Sequence, residues 1–334
     1  MRKYILTVVV AAASFSAVFA QWSEPVPISA ESLGCRRPEA IANDGEIYVA
    51  YYKPGNTPNH CFFSKGTDCG GFWQDPVVLS DSSDYLGEGP NIIRVGDTLH
   101  TVWRGFLPSE NPQVFYRRSP DLGETWEDVQ QITRPCTYLK YPDIAEIHGK
   151  LICLYNAMLH AYPQDTVFIM AVTSNDGGRH WNEPYRVRYD ITSSATMKLL
   201  ENDGRLHLIY MTPGIAAIEV VHIYSDDEGL TWTDPYYISP DDQYDSQLPR
   251  ANVDSTGLLS ACWIDYKYGS NGGIYGDILM NYSIDNGNTW HGEVRVTYEQ
   301  SSRISTVLTD VSSFYVAYDD IKRRQREYLF QVII

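Results

Sequence analysis

Apolar and polar positions in this chain alternate in short runs broken by Gly, Asp and Asn, with no long helical period. One unit recurs: an apolar strand, a turn ending near Gly, and a second strand rich in aromatics. Its copies are Pro38–Gly45 with Ile47–Tyr52, Pro90–Gly96 with Leu99–Trp103, and Pro142–Gly149 with Leu151–Tyr155. Three more follow: Met197–Gly204 with Leu206–Tyr210, Pro249–Gly257 with Leu258–Trp263, and Ile304–Ser313 with Phe314–Tyr318. These six units are spaced by 52 to 55 residues, a period that predicts an all-β, six-bladed β-propeller with four antiparallel strands per blade.

Between the units lie near copies of Ser-x-Asp-x-Gly-x-Thr-Trp. They run from Ser119 through Asp121 to Trp126, Ser174 through Asp176 to Trp181, Ser225 through Asp227 to Trp232, and Ser283 through Asp285 to Trp290. A weaker copy holds Asp68, Gly70 and Trp73 without the serine. The pattern predicts a hairpin in which Asp accepts turn amides, Gly takes positive φ, and Trp opens a fourth strand with a large buried surface. The sixth unit lacks that strand, and Trp22–Ile28 repeats its Trp-x-x-Pro-x-x-Ile spacing, so the N-terminal strand is expected to close the last blade. Closure buries edges that an open array would leave bare.

Residues Met1–Ala20 read as a secretory signal, with Arg2 and Lys3 before an apolar run and small residues before Gln21. The mature chain, residues 21–334, is expected to be one domain, secreted or periplasmic, and monomeric. Removing the signal leaves 24 basic residues against 42 acidic, a balance of −18 that disfavours nucleic acid and anionic membrane as partners. Aromatics make up 13% of the chain, led by 25 Tyr, which suits strands. Of the 6 Cys, Cys61 and Cys69 flank the weak copy and could bridge its hairpin, whereas Cys153 and Cys262 sit in apolar runs that suit buried thiols. No spacing suggests zinc or an EF-hand, so no metal or cofactor is expected.

In an up-and-down blade the Asp turns share one end with the first hairpin, and the start of strand one shares the other end with the link between strands two and three. That second end gathers the candidate chemistry: Arg36, Arg37, Arg104, Arg250 and Arg303, with Glu39 and Asp143 following two of the aligned prolines. Mixed charge there suits a polar carbohydrate ligand. The alternative is a solvated channel whose charges pair with one another.

The Ser-x-Asp-x-Gly-x-Thr-Trp copies resemble the Asp-box, or bacterial neuraminidase repeat, of the sialidase superfamily, and the whole mature chain resembles its six-bladed propeller. That resemblance implies an Arg-Ile-Pro arginine binding the sialic acid carboxylate, a Tyr nucleophile assisted by Glu, and an Asp as general acid and base. Arg36-Arg37-Pro38 matches the Arg-Ile-Pro, with Arg36 as its arginine. Asp245-Ser-Gln resembles the glutamate segment with Asp in place of Glu, and no carboxylate lies between Tyr52 and His60 where the first-blade acid is expected. The resemblance implies an exo-glycosidase acting on terminal acidic sugars, with Tyr266 or Tyr318 as nucleophile and Asp265 or Asp319 as proton donor. Each Tyr–Asp pair is adjacent in sequence, so it can converge only where the strand has become a loop. The competing readings are a non-catalytic glycan- or protein-binding propeller, favoured by the missing acid, and more weakly a polysaccharide lyase.

Overall fold

A computed structural model describes Ile28 and residues 35–54, 59–80, 86–107, 110–136, 138–158, 167–188, 196–268, 276–298, 302–310, 313–320 and 328–333, the last three segments as backbone. The chain divides into two compact units, Met1–Ile144 and Ala145–Ile334. In the first, β1 (Arg36–Asn43), β2 (Glu46–Lys53), β3 (His60–Thr67) and β4 (Phe72–Trp73) pair in that order, with β5 (Val77–Val78) also on β3. The next sheet is β6 (Leu86–Val95), β7 (Thr98–Phe106), β8 (Gln113–Ser119) and β9 (Gln130–Gln131).

The division falls inside β10 (Tyr138–Ile147), whose sheet continues with β11 (Lys150–Met158), β12 (Val167–Ser174) and β13 (Tyr185–Arg188). The second unit adds β14 (Met197–Asn202), β15 (Arg205–Pro213), β16 (Ile218–Ser225) and β17 (Tyr236–Tyr237), then β18 (Ser246–Val253), β19 (Leu259–Asp265), β20 (Asp277–Ser283) and β21 (Val294–Arg295). A three-stranded sheet ends it: β22 (Ser302–Asp310), β23 (Ser313–Asp320) and β24 (Tyr328–Ile333). All pairings with a recorded register are antiparallel. The expected closing strand, Trp22–Ile28, lies outside the described residues except for Ile28, which packs on Ile47, Val49 and Tyr51.

Second strands form the buried spine: Ile47–Tyr52, Leu151–Tyr155 and Leu259–Asp265 are buried throughout, and Trp103 and Trp263 are fully enclosed. Near-continuous apolar runs at these positions follow from cover on both faces. The expected fourth strands are much shorter than their sequence pattern, two residues in β9, β17 and β21. Each then ends on a buried hydroxyl. Ser80, Thr133, Ser239 and Thr297 accept the amides of Cys61, Val114, Val220 and Ile278 at 2.8 to 3.0 Å, satisfying a third strand where the ladder stops.

At the opposite end, the Asp turns tie neighbouring sheets within each unit. Ser119 Oγ donates to Asp121 Oδ1 and accepts from Gly123 N, while Thr125 N and Oγ1 donate to the two Asp121 oxygens at 2.8 and 2.6 Å. Asp227 and Asp285 repeat these bonds, and His180 takes the threonine's place on Asp176. The turn glycines need positive φ and also leave room for the adjacent sheet. A Cβ on Gly123 would sit 2.5 Å from Phe63, one on Gly229 2.6 Å from Ile152, and one on Gly287 2.6 Å from His222. Trp126 packs edge-on against Phe63 at 5.0 Å.

The weak copy forms a different turn. Asp68 and Cys69 both take left-handed φ in a 3-10 turn, and the structure shows no side-chain hydrogen bond capping it. Gly66 stands where the serine would be and Phe72 where the threonine would be, so Asp68 lacks both hydroxyl partners. The Cys61–Cys69 bridge is also corrected: both thiols are free. Cys61 is the second residue of the 8-residue β3 and Cys69 lies past its other end beside Gly45, roughly 25 Å of extended chain away, far beyond disulfide reach. Cys153 and Cys262 are buried free thiols, as expected.

Candidate functional site

First strands carry a bulge that reshapes the end opposite the Asp turns. Register slips between Arg36 and Glu39, Glu88 and Asn91, Gln247 and Arg250, and Ser302 and Ser305. Pro38, Pro90 and Pro249 have no N–H for the ladder, so the strand yields there. The residue before each aligned proline takes positive φ: Arg37 (48°), Gly89 (59°), Tyr141 (52°) and Leu248 (55°). Left-handed non-glycine residues carry local strain, which concentrates at binding sites.

In the first unit three of these positions meet. The Arg37 guanidinium lies over the Tyr141 ring at 5.0 Å, and Gly89 stands beside its path, a Cβ there falling 3.5 Å from Arg37 Nη1. Neither Arg36 nor Arg37 has a carboxylate within salt-bridge distance among the described residues, and both are exposed. Arg104 differs. It pairs with Glu88 at 2.9 Å, stacks on Phe106 at 4.3 Å, and keeps a buried Nε with no hydrogen-bond partner among the described residues. Asn59 donates to the other Glu88 oxygen at 2.9 Å.

Tyr138, which the sequence reading passed over, belongs to this group. Its buried hydroxyl has no hydrogen-bond partner among the described residues, and burial, with Tyr141 next in weight and Arg104 opposing, pushes its pKa up to about 12. Buried polar atoms without partners are rare and point to a missing ligand or water. The Cys136-Thr-Tyr138-Leu-Lys140 run gives no motif by which to single it out. Glu39 is half-buried on β1, and Asp143 is buried with Oδ1 accepting from Ile144 N at 2.9 Å.

The second unit gathers carboxylates instead. Asp265 is 2% exposed, and its oxygens accept from Ser246 Oγ (2.9 Å), Trp263 Nε1 (3.2 Å) and Lys267 N (2.8 Å), which makes it a buried anchor for the link after β19. Tyr266 packs beside Cys262, Ile264 and Met280. Glu219 is fully buried, accepts from Ser239 Oγ (2.7 Å) and Asp242 N (3.3 Å), and burial raises its pKa to about 7. Asp245 accepts from Ile218 N and Gln247 Nε2, both at 2.9 Å. Arg250 turns back onto the Pro249 carbonyl at 3.0 Å.

Backbone alone places the remaining candidates. Arg303 falls in the β22 bulge, while Tyr318 and Asp319 lie inside β23, paired to β24 at Leu329 and Tyr328. The loop that this adjacent pair needs in order to converge is therefore not present. The structure brings together Arg37, Tyr141, Tyr138 and Arg104; it does not bring Asp265 to a free position.

No family model matches the chain. It is 25% identical over 185 residues to a sialidase of Clostridium perfringens, covering 46% of this chain and 48% of that protein, so the chain spans about half the length of that curated relative. Among solved structures it resembles a Trypanosoma rangeli sialidase in complex with sialic acid, with TM-score 0.58, 14% identity, and 99% of this chain and 58% of that one covered. It is also similar to the intramolecular trans-sialidase of Ruminococcus gnavus bound to oseltamivir carboxylate, with TM-score 0.58, 13% identity, and 89% and 92% covered. A Dyadobacter fermentans protein of unknown function gives TM-score 0.56 at 15% identity over 73% of this chain and 78% of that one. These likenesses show the β-propeller fold.

Proposed function

We propose that this chain, a β-propeller similar to sialidases, is an exported glycan-directed protein that holds the carboxylate of an acidic sugar with Arg36 and Arg37. One observation carries this reading: two consecutive exposed arginines, Arg36 and Arg37, without a carboxylate partner among the described residues, in a chain of net charge −16. Where acids outnumber bases so heavily, cations left unpaired at a strained bulge are reserved for an outside anion. Arg37 is stiffened by the Tyr141 ring, which lowers the entropy lost on binding.

Hydrolysis of the sialidase type is the activity such recognition would serve, within sixfold closure by the Trp22–Ile28 strand and after removal of Met1–Ala20. The absence of any carboxylate between Tyr52 and His60 favours a second reading, a non-catalytic binder, because losing general acid catalysis costs a factor of about 10² to 10⁴. Calorimetric titration with sialic acid tests the shared claim. Arg36→Ala and Arg37→Ala should each weaken binding about tenfold or more, and unchanged affinity in both would sink it. Turnover of a fluorogenic sialoside then separates enzyme from binder.

A further inference from the structure

We propose that Tyr298, backed by Arg295 and Tyr268, is a stacking platform for a neutral sugar ring, a site distinct in composition from the paired arginines. It rests on the glycan-directed reading only for its choice of ligand.

The platform begins in the sequence Val294-Arg295-Val296-Thr297-Tyr298. Val296 and Thr297 are buried, and Thr297 Oγ1 takes the Ile278 amide, so the chain is fixed immediately before Tyr298. Tyr298 nevertheless remains 67% exposed. Solvent exposure of so large a ring on a fixed backbone leaves apolar surface available for a partner.

What lies behind the ring is also fixed. Asp277, fully buried, accepts from Arg295 Nη2 at 2.6 Å and Nε at 3.1 Å, and Nε also reaches the Thr297 carbonyl at 3.1 Å. The guanidinium carbon then sits 3.9 Å from the Tyr268 ring centroid and 4.7 Å from that of Tyr298. An arginine clamped by a buried carboxylate and layered between two tyrosines holds Tyr298 with one side covered. The apolar C–H face of a pyranose ring fits the other side.

Polar groups flank the stack at a suitable range. Lys267 Nζ lies 5.8 Å from the Tyr268 centroid, 3.5 Å from Asp242 Oδ2 and 3.9 Å from Glu293 Oε1, while Glu293 Oε2 has no hydrogen-bond partner among the described residues. Lys267 is loosely held and can turn toward a sugar hydroxyl. Charge selects the ligand: Arg295 and Lys267 already face Asp277, Asp242 and Glu293, so an acidic sugar would meet surplus carboxylate, and a neutral ring would not.

Lactose is the probe, titrated into the full protein and followed by the Tyr ring signals in NMR and by calorimetry. Tyr298→Ala should weaken lactose binding about tenfold, Tyr298→Phe should retain it, and Asp277→Asn, which unpins Arg295, should weaken it several-fold. Arg37→Ala should leave lactose binding unchanged while losing sialic acid, so the two sites fail independently. Lactose affinity unaltered by Tyr298→Ala, or Tyr298 signals in the native protein that do not move with lactose, would overturn the assignment.

Discussion

Within the sheet of β18–β21, the turn end holds Ser283, Asp285, Gly287 and Thr289 in the same bonds that join Ser119, Asp121, Gly123 and Thr125 in the first unit. At the other end the same two sheets share the buried hydroxyls Thr297 and Thr133 and the bulge of the first strand, but not the side chains around them. There, one presents Asp265, Asp277 and Glu293, and the other Arg104 paired with Glu88. Repetition marks what every sheet needs to join its neighbour. Divergence marks where ligands are chosen, and the two ends are therefore expected to fail in different ways when altered.

The sharpest test of the joining end uses its buried histidines, since His222 lies under Gly287. Trp290 Nε1 donates to His222 Nδ1 (3.3 Å), His222 Nε2 faces His207 Nδ1 (3.0 Å), and His207 Nε2 faces Asn286 Oδ1 (2.9 Å). Only one assignment satisfies the row: both imidazoles neutral, each donating through Nε2. Burial lowers the His207 pKa to about 4 and the His222 pKa to about 3, with the neighbouring His and Arg205 adding to the latter. Both lie below the unfolded value, so the unfolded chain binds more protons. The stability is complete above the ordinary histidine pKa near 6.5 and is lost as pH falls toward 4. A decline on the order of 5 kcal/mol between pH 7 and pH 4 is expected in denaturant titrations, and His207→Gln with His222→Gln should flatten it. Tyr224, whose ring is tilted against His222, and Asp226 across from Arg205 are further ionisable neighbours. An equally steep profile in the double variant would place the acid sensitivity elsewhere.

Next in size is Gly123→Ala. The new methyl would overlap Phe63 at 2.5 Å on a backbone with φ of 91°, and about 3 kcal/mol of stability should be lost. Gly149→Ala shares the positive φ of 83° but meets no atom within 4 Å, so it should lose only about 1 kcal/mol. Comparing their melting temperatures isolates the packing component from the backbone component; equal losses would mean that the turn glycines serve conformation alone.

This contrast explains what could be read from the chain beforehand. The Asp turns and buried second strands were legible because each rests on local bonds and on apolar runs that recur at a fixed period. The first-strand bulges were half legible: Pro38, Pro90, Pro142 and Pro249 align, yet nothing local says that the preceding residue turns left-handed. The hydroxyl ends Leu79-Ser80, Ile132-Thr133, Ile238-Ser239 and Val296-Thr297 are a repeat that pattern counting could have found. Tyr138, Glu219 and the Arg37–Tyr141 contact were not legible, because each depends on residues from different strands or sheets meeting. Asp265 looked free beside Tyr266 for the same reason: its three donors come from Ser246, Trp263 and Lys267, and only folding brings Ser246 to them.

The smallest expected effect compares the turn copies directly. Asp285→Ala removes three acceptor contacts, from Ser283, Thr289 N and Thr289 Oγ1, and should lose about 1 to 2 kcal/mol. Those bonds, the Thr289 hydroxyl first, hold its pKa down to about 2, so its contribution is present above the ordinary Asp value of 3.8 and fades as pH falls through 2. Asp68→Ala should change stability by less than about 0.5 kcal/mol, since that carboxylate has neither the serine nor the threonine to hold. Restoring the partners with Gly66→Ser and Phe72→Thr should make Asp68 matter: Asp68→Ala in that background should then approach the Asp285→Ala loss. If Asp68 stays silent there, the turn bonds follow from the surrounding sheets, and the repeated residues record the fold without creating it.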